Sequence, residues 1–439
     1  MDESLPVVVI GAGPQGLAAA AHLLERGLEP IVVEAGQQAA AAVREWGHVR
    51  LFSKWDELVD PAAARLLSGS GWSAPTTGFP RGIQWVEQYL QPLADALGDR
   101  VRTSVRVVGV SRRGRDRIVD ADRADLPFTV HLLEADGAES RIQARAVLDA
   151  SGNWMQPNPA GADGLPAMGE RAAAEAITYR VPDAAAVRAL AGKHIVVVGS
   201  GHSAMTAVNE LARLVRTQGG TRVTWLLRRG GAGAAFGGGA ADELPERGAL
   251  GTRAAEAVRV GLVELVTGFR IERIERDGEQ AVVVAEDGRR VDSVDRLVVL
   301  TGFRPDLSFL SEVRLDLDPT LQAPRRLAAE VDPNIHSCGS VQATGALDLA
   351  QPEPDFYLLG TKSYGRAPTF LAMTGYEQVR SVVAMLAGDR AGAERVELAL
   401  PETGVCGGSG LYGVEGAAGS CCTPSPALLQ IGLRPVGAR

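Results

Sequence analysis

Cysteine is scarce in this chain of 439 residues: there are four, Cys338, Cys406, Cys421 and Cys422, the last three close to the C-terminus. A disulfide framework is therefore excluded, because stapled scaffolds carry cysteines throughout a short secreted chain. Lysine is almost missing as well, limited to Lys54, Lys193 and Lys362, and arginine supplies the remaining positive charge. Positive charge is in deficit overall, with a net charge of -8. That balance disfavours nonspecific phosphate binding, so nucleic acid is not expected as a partner. No apolar run reaches the roughly 18 residues of a membrane helix. The start, MDESLPVVVIGAG, feeds an acidic end into a strand and lacks the basic region of a signal peptide. The expected location is cytoplasmic, away from membranes. What remains is a globular composition, 46% hydrophobic and 22% charged, long enough for two or three domains.

The strongest pattern occurs twice. Pro6 to Ile10 is an apolar, β-branched run that breaks into Gly11-Ala12-Gly13-Pro14-Gln15-Gly16; a helical stretch from Leu17 to Arg26 and a second strand, Ile31 to Val33 ending in Glu34, follow. The order strand, glycine turn, helix, strand is the βαβ unit of a parallel sheet. It returns at His194 to Val198, with Gly199-Ser200-Gly201-His202-Ser203-Ala204, a helix from about Ala207 to Thr217, and the strand Arg222 to Leu227 ending in Arg228-Arg229.

The segments after each unit also correspond. Phe128 to Leu133, the Asp136-Gly137 turn and a strand from Ile142 to Ala150 close in Ser151-Gly152. Arg270 to Ile274, Asp277-Gly278, Ala281 to Ala285, Asp287-Gly288 and Arg296 to Leu300 close in Thr301-Gly302. Asp-Gly between alternating strands is a hairpin signal. The fold class is thus α/β: two Rossmann-like nucleotide-binding domains, each a βαβ parallel sheet with an antiparallel β-meander. Pro157, Pro159 and Pro166 with Gly161, Gly164 and Gly169 mark a connector, and a second crossing follows Thr301. A strand at Tyr357 to Leu359 and a helix from Thr369 to Met385, with Thr369 as N-cap, follow the crossing. The boundaries read as a discontinuous first domain, 1–160 with 305–395, a second domain, 161–304, and a flexible cysteine-containing tail, 396–439.

A dinucleotide's pyrophosphate needs main-chain N–H groups at a helix N-terminus, where the helix dipole also favours negative charge. Gly11 permits the tight turn, Gly13 the close approach of phosphate, and Gly16 the packing of helix on strand. Glu34 sits where a carboxylate accepts hydrogen bonds from a ribose diol. In the second turn the third glycine is Ala204, and the strand ends in two arginines, whose forked charge suits a 2'-phosphate. The first site reads as one for FAD and the second as one for NADPH, so that hydride passes from nicotinamide to flavin.

These residues resemble the flavoproteins with two dinucleotide-binding domains, and within them the flavin-containing monooxygenase and N-hydroxylase branch. The resemblance covers roughly residues 5 to 390. It rests on the two turns, on Leu300-Thr301-Gly302-Phe303-Arg304-Pro305-Asp306, similar to the Ala-Thr-Gly-Tyr hinge of the branch, and on the hinge Leu148-Asp149-Ala150-Ser151-Gly152. It further implies that the stretch Trp46 to Trp55 packs against flavin, and that Gly339, Ser340 and Thr369 lie near the cofactor. There are departures: the Cys-x-x-Cys of disulfide reductases is missing, Cys338-Gly339-Ser340 stands where many members have an Asp, and the Baeyer-Villiger fingerprint is not recognisable.

The branch oxygenates soft nucleophiles through a flavin C4a-hydroperoxide shielded from water, chemistry that needs few side chains. Lys362, Tyr364 and Arg366, ahead of the last long helix, are the residues expected to shape the catalytic site; a loop that merely positions the helix is the alternative. His202 lies in the phosphate turn, and His48 either faces the flavin or packs. Phe236-Gly237-Gly238-Gly239 reads as a lid or as a plain loop. Cys406, Cys421 and Cys422 could wrap a thiophilic metalloid, or be incidental thiols, and KSYGRAPTFLAMTGYEQVRSVV with such a tail resembles flavoproteins of arsenic-resistance gene sets. Three functions stay open. One is an NADPH- and FAD-dependent monooxygenase of a small nitrogen, sulfur or trivalent arsenic nucleophile. Another is an NADPH-driven reductase passing electrons to tail thiols or a thiol-bound metalloid, and the last is a non-enzymatic redox sensor. A small-molecule substrate is expected, and a homodimer is compatible with each.

Overall fold

The computed structural model describes residues 4–231, 233–236, 245–333, 343–367 and 370–398. Gly339, Ser340, Thr369, Gly237 to Gly239 and all four cysteines lie outside them.

The first sheet contains β1 (Val7–Ile10), β2 (Pro30–Val33) and β3 (Val101–Arg102). After it come the meander strands β4 (Val105–Arg112), β5 (Phe128–Glu134) and β6 (Glu139–Ala144), and then β7 (Ala146–Asp149). The second half holds β8 (Ile177–Thr178), β9 (His194–Val198), β10 (Arg222–Leu226) and β11 (Glu264–Val266). Its meander is β12 (Ile271–Asp277), β13 (Gln280–Ala285) and β14 (Arg290–Val294), followed by β15 (Arg296–Val299). Far downstream, β16 (Phe356–Leu358) returns to the first sheet. The parallel sheets run β16-β7-β1-β2-β3 and β11-β10-β9-β15-β8, and each meander is its own three-stranded sheet. This is the doubled α/β architecture read from the sequence.

Each parallel sheet is covered on both faces, which is why its strands are continuous apolar runs. Alternation along β1 divides the work: Val7 and Val9 enter a core shared with the helices, while Val8 and Ile10 enter one shared with the meander. The second half repeats the division, with Ile195 and Val197 on the helical side and Val196 and Val198 on the meander side.

Two expectations need correction. The single strand from Ile142 to Ala150 is two: β6 has exposed and half-buried residues and only its last residue buried, as an antiparallel strand with a wet face does, whereas β7 is buried throughout. Between them Arg145 donates its N–H to Pro6 O, 3.0 Å away, and the chain changes sheets. The last long helix runs Ala372–Leu386 with Leu371 as N-cap, and the expected cap, Thr369, lies outside the described residues. The helix after the second turn begins at His202, immediately after Gly201, and runs to Thr217.

The crossings between halves are paired to each other. Pro157 and Phe303 form an antiparallel bridge; Asn158 N donates to Gly302 O, and Arg304 N to Gln156 O, each at 2.9 Å. Trp154 lies against Phe303, ring centroids 5.0 Å apart, with the Arg180 guanidinium 4.0 Å over the Trp154 ring. No described helix is long and apolar enough to cross a membrane.

The meander of the first half is locked to the chain before β16 by a buried charge network. Arg112 Nε donates to Glu353 Oε1 at 2.8 Å and Arg123 Nη2 to Glu353 Oε2 at 2.7 Å, with the Glu353 side chain 1% exposed. Burial raises the Glu353 pKa, and the hydrogen bonds from Arg112 and Arg123 outweigh it and hold the group below its ordinary 4.5. A carboxyl depressed in the folded state stabilises above its unfolded pKa, and the contribution is lost as pH falls through the folded value. Glu353→Ala would strand two buried guanidiniums, a loss of about 3–5 kcal/mol. We expect a clearly lower Tm at neutral pH and a shallower fall in stability below about pH 4.5, measured by thermal unfolding across the acid range.

Candidate functional site

Both glycine turns leave backbone donors open at a helix N-terminus. The helix Pro14–Glu25 has Gly13 as N-cap and the helix His202–Thr217 has Gly201, and neither cap bonds the first turn through a side chain. The unsatisfied N–H groups and the helix dipole make each turn an anion site. A Cβ placed on Gly13 or Gly201 would meet nothing within 4 Å, so the space before each turn is free. The other glycines have steric reasons. Gly11 has φ +96 and Gly199 φ +126, and a Cβ there would press on Ala150 O or Leu300 O of the neighbouring strand ends. A Cβ on Gly16 would collide with Gly11 O. Ala204, at the matching place, is fully buried, so the second helix leaves room for one methyl.

At the first site Glu34 accepts from Ala12 N at 2.8 Å through Oε2 and from Gly36 N at 2.7 Å through Oε1. It therefore braces the turn and keeps lone pairs for a further donor. Pro14 takes the first helical position, where its missing N–H costs nothing. Gln15 reaches to Gly360 and Gly375, whose missing Cβ atoms leave its side chain room. Ser151 Oγ donates to Asp149 Oδ1 at 2.6 Å. Gly152, at φ +68, turns the chain away beside Thr361 Oγ1. Trp55 is 4% exposed and fronts a hollow of about 390 Å³ shared with Arg50, Thr77 and Gln88.

The three residues expected to shape catalysis end in three different situations. Lys362 is fully buried: Nζ lies 2.6 Å from Asp149 Oδ2 and 3.0 Å from Ser151 Oγ, and 4.4 Å from the Phe309 ring centroid. These contacts brace the loop after β16 against the end of β7. Tyr364 is 2% exposed, edge-on to Phe370 at 5.0 Å, and burial pushes its phenol well above the usual range. Arg366 is on the exterior, with Nε donating to Gln322 Oε1 at 2.8 Å.

At the second site Arg229 Nε is buried without a hydrogen-bond partner. Burial lowers the Arg229 pKa and the positive charge of the neighbouring Arg228 lowers it further. Arg228 Nη1 donates to Ala162 O at 2.8 Å. Ser200 is half-buried and Ser203 exposed on the turn, and His202 opens the helix with its ring edge-on to Phe52, 5.2 Å away. Thr301 Oγ1 donates to Asn158 O at 2.8 Å and Gly302 has φ +94, so this pair fastens the crossing. His48 lines neither turn and opens into a separate cavity on the flank of that helix. Phe236 is edge-on to Trp225 at 5.8 Å.

Sequence reasoning missed Asp149 as the partner of Lys362, although a lone lysine in an arginine-rich chain was a signal. It also missed Gln378, whose Oε1 accepts from Gly360 N at 2.9 Å, and Asn158.

Residues 8–325 match the family model described as pyridine nucleotide-disulphide oxidoreductase, and the chain belongs to that family. It is accordingly an oxidoreductase of the two-nucleotide-domain fold. No curated protein matches the sequence. Among solved structures, the bacillithiol disulfide reductase of Bacillus cereus is 21% identical, with a TM-score of 0.63, over 88% of this chain and 99% of that one. The flavin-containing monooxygenase of Stenotrophomonas maltophilia is 20% identical, with a TM-score of 0.53, over 88% and 98%. The FAD-bound cadaverine monooxygenase of Erwinia amylovora is 14% identical, with a TM-score of 0.58, over 90% and 97%. The likeness to all three is one of fold.

The space before Gly13 separates folding from binding. Gly13→Val should leave far-UV circular dichroism unchanged and abolish retention of a nucleotide cofactor, assayed by acid release and chromatography. Gly16→Ala, which presses on Gly11 O, should lower Tm by several degrees.

Proposed function

We propose that this oxidoreductase is an NADPH-dependent FAD monooxygenase that oxygenates a small soft nucleophile: nitrogen, sulfur or trivalent arsenic. The observation that carries the reading is the opposite charge placed after two turns of equal geometry. The first turn is followed by a carboxylate, Glu34, already holding the turn and able to accept from ribose hydroxyls; the second is followed by Arg228 and by Arg229, whose buried Nε lacks a partner. One nucleotide held as a resident group and another admitted through its 2'-phosphate is the arrangement such a difference selects.

Bound FAD would accept a hydride and pass electrons to oxygen. The chain's own residues bind and orient. N–H groups at Gly13 to Gly16 and at Gly201 to Ala204 would hold the two pyrophosphates, Glu34 the adenosine ribose, and Arg228 with Arg229 the 2'-phosphate. Lys362, Asp149 and Ser151 fix the floor on which the first site stands.

Residues 1–337, which supply both turns, contain no cysteine. An electron route through a dithiol on these elements is closed, which favours oxygen as the acceptor. The substrate is then a group that gains one oxygen atom while the second leaves as water, and the tail thiols would hold it if it is a trivalent arsenical.

The test is stoichiometry. Candidate amines, sulfides and trivalent arsenicals are supplied with NADPH and oxygen, and product, NADPH and oxygen should be consumed or formed in equal amounts. Disulfide-dependent NADPH oxidation under strict anaerobiosis would overturn the proposal in favour of a reductase. Arg228→Glu with Arg229→Glu should raise the KM for NADPH roughly ten- to hundredfold, as expected for lost hydrogen bonds to a charged group, and leave NADH use nearly unchanged. Steady-state kinetics with both nucleotides reads the difference.

A further inference from the structure

A cavity of about 640 Å³ lies between the two halves and takes no part in either glycine turn. One wall is the stretch from His48 to Phe52 in the first half; the facing wall is the flank of the helix His202–Thr217. Thr206, Glu210, Leu214 and Thr217 line it, so it follows the helix for about 16 Å at 1.5 Å per residue. It begins one turn after His202 and runs toward the helix C-terminus, away from the N–H groups that suit a pyrophosphate. The flank offers no free backbone donors, because those N–H groups are spent within the helix.

The lining is amphipathic. Val187, Leu214 and Leu250 are buried core residues at its base, and Phe52 packs on the same core. The rim carries Arg50, Arg81, Arg188, Arg213 and Arg253 against Glu210 and Glu246. Arg213 is paired to Glu210 at 2.7 Å. Arg81, Arg188 and Arg253 have no carboxylate within ion-pair distance among the described residues. Positive charge thus predominates around an apolar trough in a chain of net charge -8. His48 Nε2, at the same wall, is buried with no hydrogen-bond partner.

We propose that this cavity is a binding site for an elongated amphiphile with one anionic head, a carboxylate or phosphate, on an unbranched apolar chain. The head sits among Arg81, Arg188 and Arg253, and the chain lies on Phe52, Leu214 and Leu250. A compact inorganic anion would leave the trough unfilled, and a cationic amphiphile would meet like charge. The proposal stands apart from the oxygenation reading, since its test is binding alone.

The experiment is isothermal titration of the full chain, purified with whatever cofactor it carries, using decanoate, decyl phosphate and decylammonium below their aggregation concentrations. Saturable one-site binding of an anionic probe is expected, and none of the ammonium. Preference between decanoate and decyl phosphate identifies the head group. Arg188→Glu with Arg253→Glu, both exposed, should weaken binding at least tenfold with thermal stability unchanged. Leu214→Trp should block the trough. Equal binding of decylammonium, no saturation by either anion, or undiminished affinity in the charge-reversed variant would overturn the proposal.

Discussion

The ion pair between Lys362 and Asp149 is the contact that joins the returning strand to the surroundings of the first glycine turn. Asp149 ends β7, next to β1 and its glycine turn, and Lys362 belongs to the loop that follows β16, so the pair joins segments some two hundred residues apart across the insertion of the second half. Both side chains are fully buried, and a charge in that position persists only with good geometry and additional hydrogen bonds. Here Ser151 Oγ and the face of Phe309 complete the surroundings of the ammonium. The pair's net worth against an apolar replacement is small, but losing either partner would leave the other uncompensated, at a cost of about 3–5 kcal/mol. Its role is one of specification: it fixes how the returning strand and its loop meet the first glycine turn.

The two halves show how one plan is tuned by few atoms. In both, a positive-φ glycine ends the first strand under the carbonyl of a neighbouring strand end, and a second glycine leaves open space at the helix N-terminus. They diverge at the third position, where Gly16 allows contact with Gly11 O and Ala204 does not, and after the second strand, where Glu34 faces the turn and an arginine pair replaces it. The chemistry separating the sites thus resides in a handful of side chains mounted on nearly identical backbones.

Much of this was legible from residue order. Glycines that need φ above zero and strands buried on both faces leave one-dimensional marks, so both turns, both meanders and the return of β16 could be read in advance. What could not be read depends on partners far away in the chain. Lys362 stands just before the last long helix, whereas its ion-pair partner Asp149, 2.6 Å away, belongs to a strand far earlier in the chain, so the pair leaves no local mark. The break at Arg145 was hidden because β6 and β7 join without a glycine or proline. That Phe52 packs on the core of the second half is likewise a contact between segments far apart in the chain, with no mark in the local residue order.

The second half enters at Asn158 and leaves at Gly302, two residues hydrogen-bonded to each other at 2.9 Å. An inserted unit whose ends touch is topologically a cassette. It can be exchanged for a related one without altering the span the host must bridge, and a chain could gain or lose it in one recombination event with the host sheet intact. The second glycine turn and its arginine pair are therefore portable as a block, whereas the surroundings of the first turn, divided between distant parts of the sequence, can only be inherited whole.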